Sequence, residues 1–314
     1  MSIQPNQSKL FLASPLASGI QVSRSLNGVD WQVRTNLGGG SGPFTLMALG
    51  HVLYVFWVNG GVFKFSKSSD RGTNFTAASN VVTFNNSSAK YEFLRFTGAP
   101  TLDTFRSPIL PSIAANPVNG HLYMTYPDWP TSTSAKPNIY FLQSTNSGTN
   151  WSPQPLQMNW STNSSTTDRW EPTLTVKPDG TKLFTAWYDR RADPGSNFLI
   201  QTYGVFANLP ITGTNNFATN VVLSTVAFPP VFTGTQTNLG EYDPVYPPLF
   251  DGSDSRYCGS FVGTYKQENG DYSGATSDNS FVYYAWSDNR NTATNHSVIR
   301  HQRDVRAVRF SWPR

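Results

Sequence analysis

A chain of 314 residues has room for two ordinary domains or one large repetitive one. Only 13% of the residues are charged, 46 are Gly or Pro and 14% are aromatic, which starves helices of their usual residues yet supplies a sizeable core; a helical bundle and a disordered chain are both excluded. The net charge of +4 is scattered rather than striped, so nucleic acid is not expected as a partner. No apolar run is long enough for a transmembrane segment, and Met1-Ser-Ile-Gln-Pro-Asn-Gln-Ser8 has no leader pattern. The single Cys258 excludes an internal disulfide, and no Cys/His spacing suggests zinc or haem.

In chain order, Lys9 to Asn36 reads as a partial unit that begins in mid-repeat. Within 43–84, Phe44-Thr-Leu-Met-Ala-Leu-Gly-His-Val-Leu-Tyr-Val-Phe-Trp57 is an apolar strand, a glycine turn and an aromatic-rich strand, a β-hairpin pattern. The pattern returns from Pro111 to Asp128 within 105–157, from Pro172 to Asp189 within 170–224, and from Ser273 to Asp288 in a last unit that starts at Asp271. Residues 225–268 are degenerate. A second motif recurs between strands: Ser25-Leu-Asn-Gly-Val-Asp-Trp31, Ser68-Ser-Asp-Arg-Gly-Thr-Asn-Phe75 and Ser144-Thr-Asn-Ser-Gly-Thr-Asn-Trp151. In each, Asn27, Asp70 or Asn146 is expected to accept backbone N–H groups inside a tight turn, and Trp31, Phe75 or Trp151 to plug the gap beneath it.

Short strands repeated in this way predict an all-β propeller, one domain over 1–314, with six blades fitting the spacing best and five remaining open. The strand around Val305 to Trp312 is expected to complete the first unit and close the ring. Arg300, Arg303, Arg306 and Arg309 belong to that closing strand, because Val305, Val308 and Phe310 alternate with them.

Propeller geometry puts the serine turns on one face, and the loops leaving second strands and entering first strands on the other. The latter positions hold Asp128, Asp189-Arg190-Arg191, Asp288-Asn-Arg290, Arg106, Asp168-Arg169-Trp-Glu171 and Tyr272. Two readings follow: the Asp-x-Arg units are ion pairs that hold loops, or the Arg groups line a pocket for an anionic ligand. His51 and His121 follow turn glycines and read as structural, while Asp251-Gly-Ser-Asp254 reads as a turn, with a structural calcium ion as the alternative.

The serine turns resemble the Asp-box of sialidases and of the wider bacterial-neuraminidase repeat (BNR) family, and the hairpin repeats are similar to that family over most of the chain. The resemblance implies three Arg gripping a substrate carboxylate, a Tyr nucleophile assisted by a Glu, and an Asp acid/base. Carried onto this chain, it makes Tyr272 the nucleophile, Glu171 or Glu241 its base, and Asp128 or Asp189 the acid/base. Arg106, Arg169, Arg190, Arg191, Asp288 and Arg290 become the ligand-binding set. Where the family has Arg-Ile-Pro, this sequence has Phe105-Arg106-Ser107-Pro108. The implied function is a secreted glycoside hydrolase acting on an anionic glycan or a cell-surface glycoconjugate, without cofactor. The alternative is a non-catalytic extracellular propeller that binds glycans or proteins.

Overall fold

The computed structural model describes residues 10–16, 19–25, 27–39, 44–85, 91–95, 104–108, 111–130, 136–160, 166–197, 199–228, 267–268, 273–288, 290–295, 298–301 and 304–313. Among them the secondary structure is β throughout, apart from one 3-10 turn at Thr214–Asn216. Strands β1 (Leu10–Leu16), β2 (Gly19–Ser25) and β3 (Trp31–Asn36) form the first sheet. The second consists of β4 (Phe44–Leu49), β5 (Val52–Asn59), β6 (Val62–Ser68) and β7 (Ser79–Thr83), in that order. Next come β8 (Tyr91–Arg95) and β9 (Thr104–Pro108), then a four-stranded meander of β10 (Ser112–Ala115), β11 (Leu122–Asp128), β12 (Asn138–Ser144) and β13 (Leu156–Gln157). Another meander follows with β14 (Arg169–Val176), β15 (Lys182–Asp189), β16 (Gln201–Asn208) and β17 (Val221–Val222). After β18 (Gln267–Glu268), the strands β19 (Gly274–Ser277) and β20 (Phe281–Asp288), the separate hairpin β21 (Thr292–Asn295) with β22 (Val298–His301), and β23 (Asp304–Ser311) complete the described chain.

The sheets pack face to face in chain order. Val55 and Trp57 of β5 face Ile20 and Val22 of the first sheet, while Tyr54, Phe56 and Phe65 face Leu122 and Trp151 of the β10–β13 sheet. Alternation along the second strand therefore serves two neighbours at once, which is why β5, β11 and β15 are apolar on both sides. The next interface joins Tyr123 and Phe141 to Leu183, Trp187 and Val205, and the one after joins Phe184 and Tyr188 to Val282, Tyr284 and Trp286. Full burial of an aromatic of this kind contributes roughly 1.5–3 kcal/mol. First strands adjoin one another, β4 beside β1 and β10, and β14 beside β10 and β19, so the sheets radiate from a common axis in a propeller-like array.

Each serine turn has the same internal bonding. The Ser25, Ser68 and Ser144 hydroxyls donate to Asn27, Asp70 and Asn146 Oδ1 at 3.1, 2.7 and 3.0 Å, and accept the N–H of Gly28, Gly72 and Gly148 at 2.8 Å. Asp70 Oδ1 also takes the N–H groups of Thr73 and Asn74 at 3.0 and 2.8 Å, which, led by Asn74, hold its carboxyl well below the usual carboxylate range. Gly72 and Gly148 have φ of 74° and 84°, and a Cβ on either would run into Phe11 or Phe65 of the sheet before it. Trp151 lies against Phe56 and Phe65, with centroids at 5.9 and 6.3 Å, so this turn aromatic packs onto the preceding sheet.

Two sequence expectations differ from the structure. The final strand β23 pairs with β20 over its whole length, from Phe281↔Ser311 to Asp288↔Asp304, and among the described residues it is the edge of that sheet rather than the completion of the first. The reason is the β21–β22 hairpin, which occupies the stretch after β20 and leaves the last segment to supply the third strand. The unit placed at 105–157 also begins later: β9 leaves it to pair with β8 and, in parallel, with β18, while Pro108 and Pro111 separate β9 from β10.

Candidate functional site

Three aspartates each close a second strand: Asp128 on β11, Asp189 on β15 and Asp288 on β20, all of them buried. Asp189 takes Arg191 N on Oδ1 at 2.8 Å, and on Oδ2 Arg191 Nε and Nη2, Trp187 Nε1 and Arg169 Nε, at 2.8, 2.6, 2.9 and 3.3 Å. Asp288 repeats the device with Arg290 N and Nε on Oδ1 at 3.0 and 2.8 Å and Arg290 Nη2 and Trp286 Nε1 on Oδ2 at 2.5 and 3.2 Å. An Asp-x-Arg spacing at a strand end thus folds the guanidinium back onto the aspartate two residues before it, through both oxygens at Asp288 and through Oδ2 alone at Asp189. That pairing raises the pKa of Arg290 above its ordinary value.

The outer nitrogens of these guanidinium groups reach the preceding sheet. Arg191 Nη1 donates to the Trp160 carbonyl, just beyond β13, at 3.1 Å and to Asn220 Oδ1 at 3.0 Å. Arg290 Nη1 donates to Thr225 Oγ1, just beyond β17, at 2.9 Å. In the sheet before these, Asp128 Oδ2 takes the Asn85 N–H, just beyond β7, at 2.9 Å, and Oδ1 takes the Trp129 N–H at 2.8 Å. All three aspartates, directly or through their arginines, tie a second strand to the exit of the sheet before it.

Arg169 and Arg190 are wholly enclosed. Arg169 Nη1 donates to the Thr167 carbonyl at 2.6 Å, and burial lowers its pKa despite Asp189. Arg190 lies with its guanidinium carbon 5.2 Å from the centre of the Trp170 ring, and its Nη1 meets Asp168 Oδ2 at 3.0 Å. Burial pushes its pKa down to about 10. Asp168 also accepts from Asn197 Nδ2 at 2.5 Å, donates its own N–H to Asn197 Oδ1 at 2.9 Å, and lies 3.5 Å from Lys136 Nζ.

Glu171 follows two residues after Arg169 in the same strand. It is buried in β14, where the register with β15 jumps from Trp170↔Tyr188 to Thr173↔Ala186, so that Glu171 and Pro172 oppose the single residue Trp187 in a β-bulge. Its φ is 51°, a left-handed conformation that a non-glycine residue before proline adopts at a cost. Burial first, and then the nearby Glu171 charge, push the Tyr188 and Tyr284 hydroxyls well above the ordinary phenol range. Tyr188 is held as a donor to the Ser287 carbonyl at 3.2 Å and an acceptor from the Ser287 N–H at 2.8 Å. Ser273 Oγ donates to the Glu171 carbonyl at 3.3 Å, which brings the start of the last sheet to the bulge.

The structure therefore gathers Asp168, Arg169, Glu171, Asp189, Arg190 and Arg191 at the start of β14 and the end of β15, with Asp128 and with Asp288 and Arg290 at the ends of the neighbouring second strands. Arg106 lies in β9, opposite Phe93 of β8 and Glu268 of β18. Tyr272, Glu241 and the Asp251–Asp254 run lie outside the described residues. Sequence reasoning missed Asn197, Lys136 and Asn138, whose Oδ1 lies 3.5 Å from Arg169 Nη1. Asn197 follows Asp193-Pro-Gly-Ser196, a turn signal that marks a loop without revealing that its amide folds back 29 residues. Among the described residues no group of acidic, His or Cys side chains is arranged to hold a metal ion, and no helix is long and apolar enough to cross a membrane.

No protein-family model matches the chain, and no curated protein matches its sequence. Among solved structures, it is similar to an α-L-arabinanase of Penicillium chrysogenum complexed with arabinobiose, with 14% identity over 72% of this chain and 67% of that one and a TM-score of 0.47. It is also similar to an α-L-arabinofuranosidase of Fusarium graminearum, with 11% identity over 98% and 91% of the two chains and a TM-score of 0.47. A sialidase of Streptococcus pneumoniae shows 10% identity over 68% of this chain and 30% of that one, with a TM-score of 0.40.

Proposed function

We propose that this chain is a glycan-acting propeller enzyme, a sialidase-like glycoside hydrolase whose reacting groups gather around the bulge of β14. We read it as a single domain of five or six blades that works outside the cell. The observation that carries the reading is Glu171, a buried carboxylate on left-handed backbone in a bulge, a strained placement of the kind that clusters at reaction sites. In this reading the Tyr272 hydroxyl attacks the anomeric carbon of the glycan, Glu171 takes the hydroxyl proton, and an aspartic acid protonates the departing glycosidic oxygen; water then releases the sugar from the tyrosine. Tyr272 fits better than Tyr188 or Tyr284, because burial raises the pKa of those two hydroxyls and so opposes the loss of their protons. Its chain neighbour Ser273 also touches the Glu171 carbonyl. The acid role falls to Asp128 or Asp189, which close the second strands on either side of the bulge-bearing strand's start.

A second reading, a propeller that binds glycans or proteins without turning them over, is favoured by the enclosure of Arg169 and Arg190, whose guanidinium groups are engaged with Asp189 and Asp168. Release of a fluorescent aglycone from a sialoside separates the two. The hydrolase reading expects turnover by the native chain and a drop of at least about a hundredfold in Glu171→Gln, the scale of losing a general base. Heat of binding without turnover supports the binding propeller, and neither heat nor turnover with sialosides overturns the sialidase-like assignment.

A further inference from the structure

We propose that Tyr188 is a positioning residue for Glu171: its hydroxyl ties β15 to the backbone of the last sheet and so holds the bulge of β14 that carries the carboxylate. Its effect on turnover rests on the reading of Glu171 as a base, whereas its effect on where the carboxyl sits is measurable without substrate. Two features of this sheet coincide. Tyr188 stands just before Asp189, in the place that Val58, Pro127 and Ser287 hold before Asn59, Asp128 and Asp288, so among these second strands β15 is the one with a phenol there. The pairs β4–β5, β10–β11 and β19–β20 run in unbroken register, and β14–β15 is the one that jumps, at Glu171 and Pro172. The two features also touch. Tyr188 pairs across the strands with Trp170, the residue before Glu171, and the two rings stack at 5.4 Å with 19° between their planes.

The hydroxyl reaches out of its own sheet. It donates to the Ser287 carbonyl at 3.2 Å and accepts the Ser287 N–H at 2.8 Å. In an antiparallel strand the N–H and C=O of one residue point to the same side. With both on the phenol oxygen, Ser287 turns them away from β23 and toward the side where β19 pairs, two residues past the pair Gly274↔Ala285. One side-chain oxygen thus takes the ladder place that a further strand residue would fill. The last sheet holds the bulge at two more points, where Ser273 Oγ donates to the Glu171 carbonyl at 3.3 Å and Ala275 N donates to Thr173 Oγ1 at 3.1 Å. Left-handed backbone before a proline persists only where its surroundings over-determine it, and these bonds do so on both sides of Glu171.

The charged and titratable groups at this end of the surrounding strands are Arg169 in β14 itself, Asp189 in β15, Asp128 in β11, Arg106 in β9, and Tyr284 and Asp288 in β20. All of them remain in Tyr188→Phe. The substitution also removes no charge, because burial first, and then the Glu171 charge, hold the Tyr188 hydroxyl well above the ordinary phenol range. A changed titration of Glu171 in that variant therefore reports on the hold that the phenol exerts.

The chain has four glutamates, so carbon NMR of a chain labelled at the glutamate δ-carbons shows four carboxyl signals, and Glu171→Gln identifies the one that belongs to Glu171. Tyr188→Phe is expected to move the titration midpoint of that signal by at least about half a pH unit. Ser273→Ala, which releases the Glu171 carbonyl and keeps the phenol, is expected to move it in the same direction. The Ser287 amide should be protected from hydrogen exchange in the native chain and exchange at least about tenfold faster in Tyr188→Phe. With sialosides as substrate, Tyr188→Phe should lower kcat at least about tenfold at unchanged KM. An unmoved Glu171 midpoint in Tyr188→Phe, shifts of opposite sign in the two variants, or equal turnover by the native chain and Tyr188→Phe overturns the positioning role. Fast exchange of Ser287 in the native chain overturns the tie itself, whether or not the variant folds. A native chain that turns over no sialoside counts against the hydrolase reading alone, and the titration and exchange then decide the role of Tyr188.

Discussion

Removing the charge of Asp168 tests whether the enclosed charges at the start of β14 hold the fold. Asp168 and Arg190 have almost no exposed surface, and Nη1 meets Oδ2 at 3.0 Å. At an effective dielectric near 20, unit charges about 4 Å apart attract by roughly 4 kcal/mol. Arg190, pushed down only to about 10, stays protonated at neutral pH, so Asp168→Asn leaves a buried cation facing an amide. The expected loss is about 3–5 kcal/mol, the range for breaking a buried pair from one side. At roughly 2–4 °C per kcal/mol this lowers Tm by about 6–20 °C. The paired change Asp168→Asn with Arg190→Met removes both charges and should restore at least half of the loss, since an apolar replacement of a buried pair is close to neutral. Urea unfolding of the native chain, Asp168→Asn, Arg190→Met and the paired variant, with a common m-value, gives the comparison. A loss under about 1 kcal/mol in Asp168→Asn, or a paired variant worse than the sum of the single ones, refutes the reasoning.

Trp151→Ala removes the ring that lies against Phe56 and Phe65 and should cost about 2–4 kcal/mol in urea unfolding while leaving glycan affinity unchanged; an affinity loss at full stability would contradict a purely structural role for this turn. Asp70→Asn should flatten the acid limb of stability: a carboxyl depressed in the fold stabilises above its unfolded value near 3.8, and that contribution fades as pH falls through the lower folded value. Thermal melts of the native chain and Asp70→Asn should therefore converge as pH drops below about 4, and a gap that is constant with pH counts against this.

The repeated hairpins were legible because a second strand with two buried faces is written locally, as in Leu122 to Asp128 and Lys182 to Asp189. The serine turns were legible for the same reason, since all their bonds span four residues or fewer. The partner of the final strand was not. Asp304–Ser311 alternates equally well for either neighbour, and only the intervening β21–β22 hairpin sends it to β20. The charged residues were found at the ends of second strands, but whether an arginine faces a ligand or its own aspartate depends on the rotamer and on what the preceding sheet offers. Arg191 and Arg290 find a carbonyl and a hydroxyl there, from residues 31 and 65 positions away.

Glu171, the base of the proposed reaction, differs from Asp189 and Asp288 in its backbone. Asp189 and Asp288 end strands and are followed two residues later by arginine, so the chain supplies a partner locally and the carboxylate becomes part of a sheet-to-sheet tie. Glu171 stands before Pro172 on left-handed backbone, at a cost on the order of 1–3 kcal/mol. The Trp170 and Tyr188 rings, stacked at 5.4 Å, and the bond from Ser273 fix the bulge around it. A glycine in that position would relieve the strain, and a glutamine would keep its shape without its charge. A glutamate stands there in a chain with only four, and the proposed role of its carboxylate expects Glu171→Gln to lose turnover at unchanged stability.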